Sequence, residues 1–169
     1  MKDLNIIEAY GYTSPNSLMM ACTLKEDGST NLAPVCFMTI LSFKPPMIGF
    51  MFGGKNLTTE RLQTTGKIIL ATPGKSLSEQ VMACAKCHGH DHDKAKEFGI
   101  ELKEVVGSEI RIPVDSKLVL QCSFVKSLET GDHLFHICNI DKISGDDTVV
   151  GLHAWDGFGK VAPAQMGQC

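Results

Sequence analysis

At 169 residues the chain has single-domain length and is long enough to bury a core of its own. Its 43% hydrophobic and 21% charged residues exclude a disordered tail, and a net charge of −3 argues against a general nucleic-acid binder, which carries a basic surplus. The apolar stretch 32–52 is broken by Pro34, Lys44, Pro45 and Pro46, short of the roughly 20 apolar residues a membrane span needs. Met1-Lys2-Asp3 opens with mixed charge and no apolar run follows, so no secretion signal and a cytoplasmic location are expected.

Strand-like runs dominate the chain. The first covers 17–24 and ends in the turn signal Lys25-Glu26-Asp27-Gly28-Ser29. The chain returns as one strand over 31–41, resumes over 47–52 after Pro45-Pro46, and closes at Gly53-Gly54. A short helix over 58–65 stops at Gly66, and a strand over 67–72 stops at Pro73-Gly74. A second helix is predicted over 76–87, opened by the capping-box pattern Ser76-x-x-Glu79, and a third over 91–98 with Gly99 at its end. Segments 117–126 and 132–142 alternate apolar and polar residues around 128–131, the period-two pattern of a half-buried hairpin. His133 and His136 on its second arm are expected at the sheet surface.

Many short strands with a few peripheral helices predict a mainly β protein built as a closed antiparallel barrel. No G-x-G-x-x-G follows any strand, which excludes a dinucleotide-binding α/β fold. The seven cysteines are odd in number, and Cys22, Cys36, Cys122 and Cys138 lie in apolar runs. They read as reduced core residues rather than a disulfide framework, which suits a reducing compartment.

The segment opened by Asn31 and bracketed by Pro34 and Pro45-Pro46 is unusual for a plain core strand. Pro34 cannot donate to a ladder, so its strand lies on an edge or leaves the sheet there. Freed backbone amides with Cys36, Thr39 and Ser42 nearby suit an oxygen-rich ligand; a structural strand with a bulge is the alternative.

Asp27-Gly28-x-x-Asn31-x-Ala33-Pro34-Val35, a run ending at Pro45-Pro46, Met47-Ile-Gly-Phe, Lys55-Asn-x-Thr-Thr59 and Gly66-Lys-Ile-Ile follow one another. Leu77-x-Glu-Gln-Val, Cys87-x-Gly-x-Asp-x-Asp-Lys94 and Gly131-Asp-His133 come next. This ordered series resembles the flavin reductase-like family of FMN-binding split barrels, which includes flavoredoxin, over most of residues 14–145. The resemblance implies a six-stranded antiparallel Greek-key split barrel that forms a homodimer, with one FMN per subunit near the dimer interface.

By position the resemblance also implies that Asn31, Ala33, Pro34, Val35, Cys36, Phe37, Met38 and Thr39 line the isoalloxazine and ribityl chain, largely through backbone amides. Cys36 and Met38 would be the side chains closest to the ring. Lys55, Asn56, Thr58 and Thr59 would meet the phosphate, in keeping with the attraction of a helix N-terminus for an anion. Lys94 matches a lysine near the flavin, where a cation would stabilise the anionic reduced form; its plain reading is a solvated helix face. Where the family commonly has Ser-Gly-Arg, this chain reads Cys87-His88-Gly89-His90. Little aligns beyond Thr148, where Trp155 and Met166 either fold back over the flavin or pack the C-terminal tail.

The activity so implied is an FMN-dependent oxidoreductase or electron carrier, with NAD(P)H as transient donor or a redox protein as partner, passing electrons to flavin, ferric iron or another acceptor. A competing chemistry sits in Cys84-Ala-Lys-Cys87-His88-Gly-His90-Asp-His92. Its C-x-x-C has zinc-ligand spacing, and in an extended chain the three histidines face one side. Outside this segment no second C-x-x-C or H-x-x-x-H completes a structural zinc site, so a metal- or redox-sensing barrel is the alternative function. A thioredoxin-type dithiol belongs at a helix N-terminus, whereas this pair sits at a predicted C-terminus.

Overall fold

The computed structural model describes residues 1–164. Its first element is a short helix, α1 (Ile6–Tyr12), capped by Asn5. β1 (Met19–Leu24) turns through Gly28, in the left-handed region at φ +80°, into β2 (Thr30–Val35). β3 (Met38–Phe43) and β4 (Pro46–Gly53) make the next hairpin. Helix α2 (Leu57–Thr65) then carries the chain across to β5 (Lys67–Pro73). Helices α3 (Ser78–Cys84) and α4 (Lys94–Glu97) and the hairpin β6 (Leu102–Val105) and β7 (Ser108–Pro113) cover one side. The long arms β8 (Ser116–Thr130) and β9 (His133–Gly145) follow, and β10 (Leu152–Trp155) and β11 (Lys160–Pro163) close the described chain.

Seven strands form one antiparallel sheet in the order β2-β1-β5-β8-β9-β4-β3. Its two edge strands, β2 and β3, are consecutive in sequence and separated only by Cys36 and Phe37. The sheet therefore curls back on itself at that point, where Met51 N–H donates to Phe37 O (2.9 Å). This is a mainly β split barrel with peripheral helices, as the sequence predicts, with seven strands rather than six. The extra strand arises because the run read as one strand over 31–41 breaks in two. Pro34 has no amide hydrogen, and the chain leaves the β1 ladder after Val35 to start pairing with β4 at Met38.

Period-two alternation sorts the barrel strands into two apolar layers. On β1, Met19 and Ala21 face a cluster with Ile48, Phe50, Leu62, Leu70 and Cys138 inside the barrel. Met20 and Cys22 face the other, with Leu32, Ile69, Val81, Ile110 and Ile112 beneath the helices and the β6–β7 hairpin. Because β1 and β5 are covered on both faces, their sequences read as continuous apolar runs. Each Leu or Ile fully removed from water there contributes about 1.5–3 kcal/mol.

The predicted helix over 58–65 stands almost unchanged. Asn56 Oδ1 accepts from Thr59 N–H (2.8 Å), and Gly66 ends the helix in the left-handed region at φ +69°. The helix over 76–87 does not. Ser76 gives its hydroxyl to Asp115 instead of capping, residues 75–77 form a 3-10 turn, and α3 starts at Ser78 with no side-chain cap. It ends at Cys84, not Cys87. The helix over 91–98 contracts to α4 because Asp93, not Asp91, caps it through Lys96 N–H (3.3 Å). His136, expected at the surface, is completely buried. Trp155 packs the tail hairpin and donates from Nε1 to Ala162 O (3.2 Å); Met166 lies outside the described residues.

Candidate functional site

β2, the start of α2 and the segment after α3 meet around a cavity of about 250 Å³. Asn31, Ala33 and Pro34 form one wall, Asn56, Leu57 and Thr58 a second, and Cys84, Cys87, His88, Gly89 and Lys94 a third; Phe52 and Phe158 add aromatic surface. Six of the residues proposed from sequence are thus brought together: Asn31, Ala33, Pro34, Asn56, Thr58 and Lys94.

The first two walls are tied by side-chain amide chemistry. Asn31 is 3% exposed and donates from Nδ2 to Thr58 Oγ1 (3.0 Å) and Thr23 Oγ1 (3.2 Å). Its Oδ1 faces Gly89 so closely that a Cβ on that glycine would come within 2.2 Å of it. The loop can approach β2 only because residue 89 lacks a side chain.

Lys94 is only 5% exposed, and its Nζ donates to Cys84 O (2.8 Å), one of the carbonyls that α3 leaves open at its end. Among the described residues no carboxylate lies within ion-pair distance of it. Burial pulls its pKa below the usual lysine range, while the nearby Cys87 and Cys84 act in the opposite direction. Buried ammonium groups are normally paired. This one keeps two N–H donors for whatever enters the cavity. The amides of Leu57 and Thr58, in the first turn of α2, also have no acceptor in the protein among the described residues. Cationic, amide-rich and flanked by aromatic rings, the cavity has the chemistry to receive the anionic group of a partly aromatic ligand such as a flavin nucleotide.

The family model described as "Flavin reductase like domain" matches residues 10–161. The chain belongs to the flavin reductase-like family. It is 24% identical over 119 residues to an uncharacterized protein of Archaeoglobus fulgidus, a match spanning 69% of this chain and 66% of that relative's length. Its fold is similar to flavoredoxin of Desulfovibrio vulgaris (TM-score 0.84, 14% identity, covering 100% of this chain and 96% of that one). It is also similar to an NADH:FAD oxidoreductase of Streptomyces globisporus (TM-score 0.83, 12% identity, covering 98% and 99%).

The remaining family-matched positions lie elsewhere. Val35 is in the barrel core, and Thr59 turns its hydroxyl inward to His136. Lys55 is exposed beside the cavity. Cys36 and Phe37 sit at the barrel seam, where the Phe37 ring meets Tyr10 edge-on (4.8 Å) and His133 (5.2 Å). Met38 and Thr39 line a separate, mostly apolar hollow of about 210 Å³ with Leu18, Ile48, Leu118 and His153. A larger groove of about 540 Å³ runs beside β5 and β7, but two of its charged side chains, Lys67 and Asp141, already pair with each other at 3.1 Å.

The histidines of the Cys84–His92 segment diverge. His90 Nε2 meets Glu60 Oε2 (3.1 Å), His92 Nδ1 meets Glu97 Oε2 (2.7 Å), and His88 is exposed. Among the described residues no three His, Cys, Asp or Glu side chains converge as metal ligands. Burial pushes the Cys84 thiol up to about 12, so it stays protonated. Sequence reasoning did not assign Phe52, Leu57 and Phe158 to the cavity. Phe52 had a readable cue, since it ends a strand next to the Gly53-Gly54 turn that feeds α2.

Proposed function

We propose that this chain is an FMN-binding flavoprotein that takes electrons from NAD(P)H or a redox protein and delivers them to free flavin, ferric iron or another acceptor. The observation that carries the reading is Lys94, a buried cation without a carboxylate partner among the described residues, in the wall of a cavity shared with Asn31, Ala33, Pro34 and Thr58. Family membership and the likeness to a flavoredoxin and an NADH:FAD oxidoreductase support it.

The flavin, when bound, supplies two-electron hydride acceptance and stepwise electron donation. The polypeptide's part is electrostatic and steric. Lys94 offsets negative charge that appears on reduction, which favours the reduced form. Thr58 and the open amides of α2 receive the phosphate, and Phe52 and Phe158 keep water from the aromatic part of the ligand.

A homodimer completes this reading. At about 250 Å³ the cavity within one chain is smaller than the roughly 300–1,000 Å³ usual for ligand sites. On β3, Ile40 (49%), Leu41 (41%) and Phe43 (86%) are exposed, an apolar edge that a second copy would cover. A cytoplasmic location accords with six unpaired cysteines among the described residues, and no described helix is long and apolar enough to cross a membrane.

The test is anaerobic reconstitution with FMN and, separately, FAD, followed by NADH or NADPH. Stoichiometric FMN binding with bleaching of the flavin absorbance by a nicotinamide is expected of a reductase. Binding without bleaching points to a carrier fed by a protein donor. Failure to bind FMN overturns the reading.

A further inference from the structure

The flavin reading leaves a completely buried histidine unused. The ring of His136 on β9 lies among Phe50 (5.4 Å), Phe52 (6.4 Å) and Phe124 (6.4 Å). Its Nε2 is 3.0 Å from Thr59 Oγ1 and its Nδ1 is 2.9 Å from Ser127 Oγ. Two polar nitrogens inside an apolar barrel are costly to desolvate, and a phenyl ring would fill the same space without that cost. What the imidazole adds is a grip on Thr59.

That grip acts on the first turn of α2 from inside the barrel. Thr59 N–H is held by Asn56 Oδ1 (2.8 Å), and Thr58 Oγ1 is held from β2 by Asn31 (3.0 Å). The turn is therefore fixed from two directions, by Asn31 through Thr58 and by Ser127 and His136 through Thr59. Between these anchors lie the open amides of Leu57 and Thr58, and Phe52, which touches the imidazole, lines the same cavity.

We propose that His136 is a positioning residue for the phosphate end of the flavin site: through Thr59 it holds the first turn of α2 so that the Leu57 and Thr58 amides converge on the ligand's anionic group. This deepens the FMN reading and rests on it. The imidazole touches no ligand; it acts by keeping donors aimed, which lowers the cost of ordering them on binding.

The test uses the full chain carrying His136→Phe, which keeps an aromatic ring among the three phenylalanines. Exchange of the hydrogen-bonded amides of Thr59 and Glu60 in ligand-free protein should speed up, and the Kd for FMN should rise about tenfold. The Kd for riboflavin, which lacks the phosphate, should stay within about twofold. Thr59→Val should reproduce this pattern, and the double variant should be no weaker than either single one, as expected for one shared interaction. If His136→Phe does not fold, Thr59→Val carries the same three measurements. Equal weakening of FMN and riboflavin, or unchanged exchange at Thr59 and Glu60, overturns the proposal. A wild-type protein that binds neither flavin overturns the cofactor reading itself, and this inference with it.

Discussion

The β2 and α2 walls of the cavity differ from the wall after α3 in how their polar groups are used. The wall made by β2 and α2 contains nothing that looks like a catalytic motif, yet side-chain bonds from Asn31 to Thr58 and between Thr59 and His136 hold a turn whose Leu57 and Thr58 amides have no acceptor among the described residues. The wall made by the Cys84–His92 segment is rich in metal- and redox-type residues, yet most of them are engaged locally. His90 and His92 answer to Glu60 and Glu97, Cys87 Sγ donates to Ala83 O (3.7 Å), and Cys84 is held as a thiol by burial. A ligand site is made by convergence of unspent donors. The spacing of ligand-type residues along the chain is a poor proxy for it.

Acid should strike the first wall hardest. Burial lowers the His136 pKa from 6.5 to about 4, so between those values the unfolded chain takes up a proton that the native chain does not. Stability from this group is complete above pH 6.5 and drains away as pH falls toward 4, a loss of about 3 kcal/mol. Urea unfolding at pH 7 and pH 4.5 should show it in the wild type. His136→Phe should show a smaller drop; an equal drop in both would mean that other groups control the acid response.

Lys94→Met should come next, because it takes from the wall after α3 the group with N–H donors to spare. Losing a charged hydrogen-bond donor of about 2 kcal/mol should weaken FMN binding about thirtyfold. It should also lower the flavin reduction potential, read by equilibration with a reference dye. The ligand-free protein should melt at a higher temperature, since an apolar side chain there removes an unpaired buried charge. A lower melting temperature would show that the Lys94 bond to Cys84 O matters more to the fold than to the site. The smallest effect belongs to the paired change His90→Ala and His92→Ala. It should shift Tm by less than about 2 °C and leave FMN affinity unaltered, as expected of solvent-exposed pairs. Loss of a stoichiometric metal on this change would restore the sensing reading of the segment.

Local chemistry was the most legible part of the fold. Asn56 and Gly66 bracket α2 by capping rules that need no tertiary information, and the β8–β9 hairpin follows from alternation alone. Tertiary competition accounts for the misses. Ser76 carries a valid capping pattern, but Asp115, 39 residues away in sequence, takes its hydroxyl. His136 looks like one more polar position on an alternating strand, and only closure of the barrel puts that face among phenylalanines. The short helix α1 did have a readable signal, the reciprocal bonds of Asn5 and Glu8 (3.0 Å each), and it went unread. For the site, the resemblance named Asn31, Ala33, Pro34, Asn56, Thr58 and Lys94, which meet at one cavity, and Val35, Cys36, Phe37, Met38, Thr39, Lys55 and Thr59, which do not line it. It could not reveal that neighbouring threonines face opposite ways, Thr58 outward to the ligand space and Thr59 inward.

The break at Cys36 and Phe37 has a mechanical consequence. A barrel closed by a full ladder behaves like a hooped cask, in which any widening strains every stave. Here the hoop is interrupted between two adjacent staves joined end to end by two residues, and the bond from Met51 to Phe37 only extends the β3–β4 ladder on one side of the gap. Spreading the wood at that point breaks no rung of the ladders on either side, so the seam can give while the rest of the cask stays tight.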